Sequence, residues 1–177
     1  MFDPNKFAVT KPKPLPVYLL LDVSTSMGQV DDDGTLTRTG KTFEKDGQQW
    51  EIVEGGISKI NVLNSSVKAM LEAFSDEEKS NVLIMTSIIT FGDRADVVFQ
   101  PTKSSDIEYT DLIPDGETSL GNALIKTKEL IEDKNITPSR SYKPTIVLVS
   151  DGKPTDEWKI PLEQFIGQGR SQKCDRM

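Results

Sequence analysis

Asp22, Ser24 and Ser26 occupy alternate positions in Asp22-Val23-Ser24-Thr25-Ser26, directly after the apolar run 17–21. In a turn, alternate residues project to one side, so one carboxylate and two hydroxyls face a common point. All three are hard oxygen donors, which suit Mg²⁺, Mn²⁺ or Ca²⁺ rather than Zn²⁺ or Cu²⁺. A second acid, Asp151, stands in Ser150-Asp151-Gly152 after another apolar run, 145–149. A helix beginning near Thr118 brings one more hydroxyl to the same edge. Asp-x-Ser-x-Ser alone fixes only three positions and also describes a strand ending in a Ser-rich turn. Its place after a buried strand, and its company, give it weight.

The rest of the composition narrows the chemistry. The 177 residues include no histidine and one cysteine, and the net charge is −7. Ser-His-Asp and Cys-His catalysis therefore have no base within the chain. A His- or Cys-rich zinc site is excluded as well, and no internal disulfide can form. The acidic balance argues against nucleic acid, whose phosphates require a Lys/Arg surface. The apolar run 17–21 is too short for a leader or a membrane span, so the expected setting is cytoplasmic.

These residues need a scaffold that brings two strand ends together. Residues 1–14 read as an extended arm, because Pro12, Pro14 and Pro16 exclude a helix. Run 17–21 does not alternate, which marks a strand buried on both faces of a parallel sheet. Residues 28–56 are polar and Gly-rich. Asp46-Gly47 between strand-like stretches predicts an inserted hairpin near 41–53. A helix is expected over 58–74, where Ile60, Leu63, Val67, Met70, Leu71 and Phe74 recur at helical spacing. Strands are expected at 81–91 and 95–100, the second closed by Pro101. A second helix over 119–134 takes Thr118 or Ser119 as its N-cap. Another strand covers 145–149, and an amphipathic stretch covers 161–175. Strands alternating with helices give an α/β fold, Rossmann-like, with a mostly parallel sheet flanked by helices. In such sheets ligands bind beyond the carboxyl ends of the strands, where Asp22 and Asp151 stand.

Residues 17–27 (VYLLLDVSTSM), 116–124 (GETSLGNAL) and 146–158 (IVLVSDGKPTDEW) resemble the three metal-site segments of von Willebrand factor A-type (vWA) domains. The resemblance runs through most of residues 15–175 of a domain spanning 15–177, with an insertion at 28–56. It implies a metal-ion-dependent adhesion site (MIDAS) with Asp22, Ser24 and Ser26 as the first motif. Thr118 would ligate directly or through water, and Asp151 through water. Mg²⁺ is the cation implied first, with Mn²⁺ or Ca²⁺ as substitutes. A partner protein would supply an Asp or Glu to the open position. Within the family, segments 15–18, 116–121 and 150–158 resemble bacterial vWA proteins of the tellurium-resistance type. This implies a stress-response setting with a kinase or phosphatase among the partners.

Other signals are weaker. Gly34 to Thr42 resembles a phosphate-binding loop but has five residues between its glycines where that motif has four. Asp31-Asp32-Asp33-Gly34 lacks the spaced acids and terminal Glu of a calcium loop. Cys174 reads as a packing residue or an exposed thiol rather than a nucleophile, since no His can activate it, and Lys153 and Arg94 read as solvated charge. Trp50, Lys153 and Trp158 are candidates for the partner-binding face. Two further functions compete with the binding module. A Mg²⁺-dependent phosphohydrolase of haloacid-dehalogenase type also carries an Asp after its first strand, but needs a second Asp as general acid where Ser24 stands. A scaffold with a purely structural metal is the other. The family pattern continues with further strands beyond 175, so strand 145–149 is expected to present an unpaired apolar edge, in a truncated chain or one completed by another chain.

Overall fold

The computed structural model describes residues 12–31, 36–45, 47–78 and 82–177. The proposed arm therefore lies almost wholly outside the described residues, as do Asp32, Asp33 and Gly34 of the acidic turn.

Strand β1 (Pro14–Asp22) forms the centre of a five-stranded sheet. It begins at Pro14, three residues earlier than the apolar run implied. Strand β8 (Thr145–Val149) first meets β1 at Val17. Pro14 and Pro16 therefore precede the two-sided pairing, and the Pro14 carbonyl instead accepts the Tyr142 N–H at 2.8 Å. A missing proline donor costs nothing there.

The chain leaves β1 through a 3₁₀ turn at Thr25–Gly28 and enters the insertion. Strand β2 (Val30–Asp31) pairs antiparallel with β5 (Ile57–Ser58). Between them, β3 (Thr37–Lys45) and β4 (Gln48–Glu54) form the hairpin read from Asp-Gly. Gly47 turns it at φ +72, which a side chain would resist. Helix α1 (Lys59–Glu78) follows. Strands β6 (Leu83–Phe91) and β7 (Ala95–Lys103) come next. Helix α2 (Leu120–Glu132) leads to β8, then helix α3 (Lys159–Gly167) and strand β9 (Asp175–Arg176).

The sheet order is β7-β6-β1-β8-β9, with only β7 antiparallel. The crossover to β6 goes to one side of β1 and the later one to β8 goes to the other. Strand order thus reverses at β1, and a crevice opens beyond its carboxyl end. The side chains of β1 alternate into two cores. Tyr18 and Leu20 pack with Leu124, Ile131 and Phe165 of α2 and α3. Val17, Leu19 and Leu21 pack with Ile60, Leu63, Val67 and Leu71 of α1. Truncating a fully buried leucine such as Leu20 to alanine costs about 2–5 kcal/mol.

Three expectations are corrected. Pro101 does not close β7, which runs on to Lys103. Gln100 and Pro101 fall in a register shift of this edge strand, where no ladder donor is needed. The final helix is shorter than the 161–175 stretch: it ends at Gly167, Gly169 takes φ +71, and a 3₁₀ turn at Ser171–Lys173 follows. The β8 edge is also not bare. Strand β9 pairs with Thr145 and Ile146, and the Leu148 N–H reaches the Met177 carbonyl at 3.1 Å.

Candidate metal centre

Three loops meet at the carboxyl ends of β1 and β8, and the backbone stitches them together. The first loop follows β1. Its Val23 carbonyl accepts the Asp115 N–H at 2.6 Å, and the Thr25 N–H donates to the Gly116 carbonyl at 2.9 Å. This joins it to the second loop, residues 114–119. Gly116 sits at φ +77, and a β-carbon added there would collide with Asp93, so a side chain meets both strain and collision. The Asp93 Oδ1 also accepts the Glu117 N–H at 2.8 Å. The third loop, residues 150–158, is tied to the second through Thr155. Its N–H donates to the Thr118 carbonyl at 3.0 Å, and its hydroxyl accepts the Thr118 N–H at 3.1 Å.

The N-cap expectation for α2 holds in position, while the capping bonds come from the third loop. Ser119 holds the N-cap position without a side-chain capping bond, and its hydroxyl is buried with no partner among the described residues. Asp156 caps the helix from the third loop instead. Its carboxylate oxygens accept the N–H groups of Gly121 at 2.9 Å and Asn122 at 3.0 Å. A carboxylate at a helix N-terminus also meets the positive end of the helix dipole.

Inside this frame the polar side chains form a connected network. Asp22 is 0% exposed. Its Oδ1 accepts the Ser24 N–H at 2.8 Å and its Oδ2 accepts the Ser150 hydroxyl at 2.5 Å. The Ser26 hydroxyl donates to Asp151 Oδ1 at 2.7 Å. A hydroxyl has one proton, so at the 2.9 Å contact between Ser24 Oγ and Ser26 Oγ the donor is Ser24. The Ser26 and Thr118 hydroxyls both lie beside Gly152. Asp151 Oδ2 accepts from the Lys59 ammonium at 2.7 Å. The fold thus gathers all five predicted positions: Asp22, Ser24, Ser26, Thr118 and Asp151.

Two further residues contribute that the motif spacing does not mark. Ser150 orients Asp22, and Lys59 pairs with Asp151. Ser150 carried a usable signal, since it directly precedes Asp151 at the end of an apolar run. Lys59 carried none, because the insertion separates it from the first motif.

The donor set fits a hard divalent cation. Among the described residues Asp22 has no ammonium or guanidinium partner, so a fully buried carboxylate is left with hydrogen bonds alone. Burying a charge without a counter-ion is costly. The serine protons point toward acceptors within the network, which frees hydroxyl lone pairs for a cation. Among the described residues no three of His, Cys, Asp and Glu gather as a metal cluster, so two carboxylates and several hydroxyls would have to share the task. Oxygen-only sets of this kind suit Mg²⁺.

The family model for the von Willebrand factor type A domain matches residues 17–153. This chain belongs to that family. The matched span holds all five candidate positions and the whole insertion, while α3 and β9 lie beyond it. The PilB minor pilin of Streptococcus sanguinis, in a D319A mutant structure, is similar at 17% identity and TM-score 0.52, covering 85% of this chain and 32% of that one. The vWF domain of the type V pili tip protein Mfa5 of Porphyromonas gingivalis gives 15% identity and 0.51, with 81% and 39% covered. Proximal thread matrix protein 1 of the mussel byssus gives 16% and 0.50, with 94% and 35% covered. At these identities the likeness is one of fold, and the chain spans about a third of each protein's length. No curated protein matches. The vWA domain is a general protein-interaction module, and the mostly parallel sheet flanked by helices is the architecture these structures share.

The three candidates for the partner face are placed differently. Trp50 of β4 faces Phe43 across the hairpin and is half-buried. It lines a recess with Gly28 and Gln29, which follow the first loop. Lys45 at the hairpin end reaches Asp115 of the second loop at 2.7 Å and holds its carboxyl below the usual carboxylate range. The hairpin therefore stands beside the first and second loops of the candidate site. Lys153 is exposed on the third loop. Trp158 is half-buried directly before α3, where its backbone carbonyl accepts the Leu162 N–H at 2.9 Å.

Proposed function

We propose that this vWA chain is a metal-ion-dependent protein-binding module rather than an enzyme. Asp22, Ser24 and Ser26 would hold a divalent cation, Mg²⁺ first, with Thr118 and Asp151 completing its surroundings. A bound cation supplies residual positive charge and an open coordination position. The chain's own residues do the rest: Ser150 and the Ser24 N–H fix the Asp22 carboxylate, and the stitched loops hold the hydroxyls at one crevice. A partner Asp or Glu then completes the site. One observation carries this reading: Asp22 is a fully buried carboxylate with hydrogen bonds but no counter-ion among the described residues. Family membership supports the binding role. The motif phrasing at 150–158 supports a bacterial stress-response setting of the tellurium-resistance type, with a kinase or phosphatase as candidate partners.

The test is a pull-down from the native cell with wild-type and Asp22→Ala chains, each in Mg²⁺ and in chelator. The expected outcome is a partner retained only by wild type in Mg²⁺. Retention in chelator, or by the variant, would contradict the proposal.

A further inference from the structure

Lys59 is the first residue of α1, reached directly from β5. The short β2–β5 pair closes the insertion and returns the chain to the first loop, where the Lys59 N–H donates to the Gln29 carbonyl at 3.1 Å. Its ammonium is thereby carried into the site. It lies 2.7 Å from Asp151 Oδ2 and 3.2 Å from Gln29 Oε1. The pair is partly covered: the Lys59 side chain is 31% exposed and that of Asp151 13%. Beside it is an apolar recess of about 380 Å³, lined by Met27, Val62, Leu63 and Val149. A charge here is screened less than on open surface.

We infer that Lys59 is a built-in counter-cation that sets both the cation affinity and the ligand preference of the site. This rests on the divalent-cation reading above and deepens it. Lys59 already neutralises Asp151, so Asp22 alone balances a divalent ion. The loaded site then keeps about one unit of positive charge, which favours an anionic carboxylate from the partner over a neutral ligand. Without Lys59, Asp151 becomes available to balance the ion. The cation binds more tightly and the attraction for an external carboxylate falls. Two positive charges acting on a third within several ångströms change affinity by about tenfold even at a water-like dielectric.

The test uses Mn²⁺, followed by electron paramagnetic resonance, on the full chain as wild type, Lys59→Met, Lys59→Gln, Lys59→Arg and Asp22→Ala. Glutarate added to the Mn²⁺-loaded chains serves as a carboxylate probe and is followed calorimetrically. Lys59→Met is expected to tighten Mn²⁺ binding about tenfold and to weaken glutarate binding. Lys59→Arg keeps the charge and is expected to match wild type on both readouts. Lys59→Gln carries the same prediction as methionine and answers any loss of folding specific to that substitution. Unchanged or weaker Mn²⁺ binding in both neutral variants overturns the role of Lys59, as does a Lys59→Arg variant that behaves like them. The underlying site fails separately: wild type would bind no Mn²⁺, or Asp22→Ala would bind it equally well.

Discussion

Replacing Asp22 with asparagine separates what the carboxylate does for the fold from what it does for a cation. Asparagine keeps the volume. Its amide oxygen can accept the Ser24 N–H, and its amide N–H can donate to the Ser150 oxygen, so both contacts of Asp22 survive in altered polarity. Only the charge disappears. In wild type that charge is fully buried without a counter-ion among the described residues, which is unfavourable. In chelator, Asp22→Asn should therefore melt no lower than wild type. In Mg²⁺ the order reverses. A cation at roughly one hundred times its dissociation constant stabilises the native state by about 2.7 kcal/mol. For a chain of 177 residues each kcal/mol moves Tm by about 2–4 °C, so wild type should gain roughly 5–11 °C. Asp22→Asn should gain almost nothing. Differential scanning calorimetry of both chains, with Mg²⁺ and with chelator, reads all four values. A full Mg²⁺ shift in the variant would refute the placement of the cation. A variant that melts far below wild type in chelator would refute the claim that the buried charge is a cost.

Further outcomes follow from the same contacts. Ser150→Ala removes the donor to Asp22 Oδ2 and should destabilise the cation-free protein by about 1–3 kcal/mol, read by urea unfolding in chelator. Gly116→Ala forces a side chain into a left-handed conformation against Asp93; it should cost about 1–3 kcal/mol and shrink the Mg²⁺ shift, because Thr118 rides on that loop. Burial pushes the Cys174 thiol up to about 11 from an ordinary 9.0, and the Tyr18 phenol up to about 12 from 10.0. Both groups hold their protons more tightly when folded, so their contribution is complete below pH 9 and is lost as pH rises toward 12. Urea midpoints across that range should fall, and Cys174 should resist an aromatic disulfide reagent at pH 8 until the chain unfolds.

The candidate site was legible where the pattern is local. Asp22, Ser24 and Ser26 lie within one turn after an apolar run, and Asp151 follows a second such run. Periodicity placed α1 and α2, and Asp-Gly marked the hairpin. What escaped notice depends on contacts far apart in sequence. Ser150 reaches Asp22 across 128 positions, and Lys59 reaches Asp151 across 92. No spacing rule links such pairs, because the sheet order brings them together only after β8 has crossed to the far side of β1. The α2 cap escaped for the same reason: Ser119 has the right chemistry in the right place, yet Asp156 from another loop occupies the role. Pro101 misled because a breaker in a central strand is tolerated in an edge strand.

A crystal structure of the chain grown with Mn²⁺, with anomalous scattering recorded at the manganese edge, would locate the cation. One strong peak is expected in the crevice beyond β1, in contact with Asp22, Ser24 and Ser26 and facing Thr118 and Asp151. A saturating Mn²⁺ concentration with no peak there, or with its strongest peak elsewhere on the chain, would contradict it.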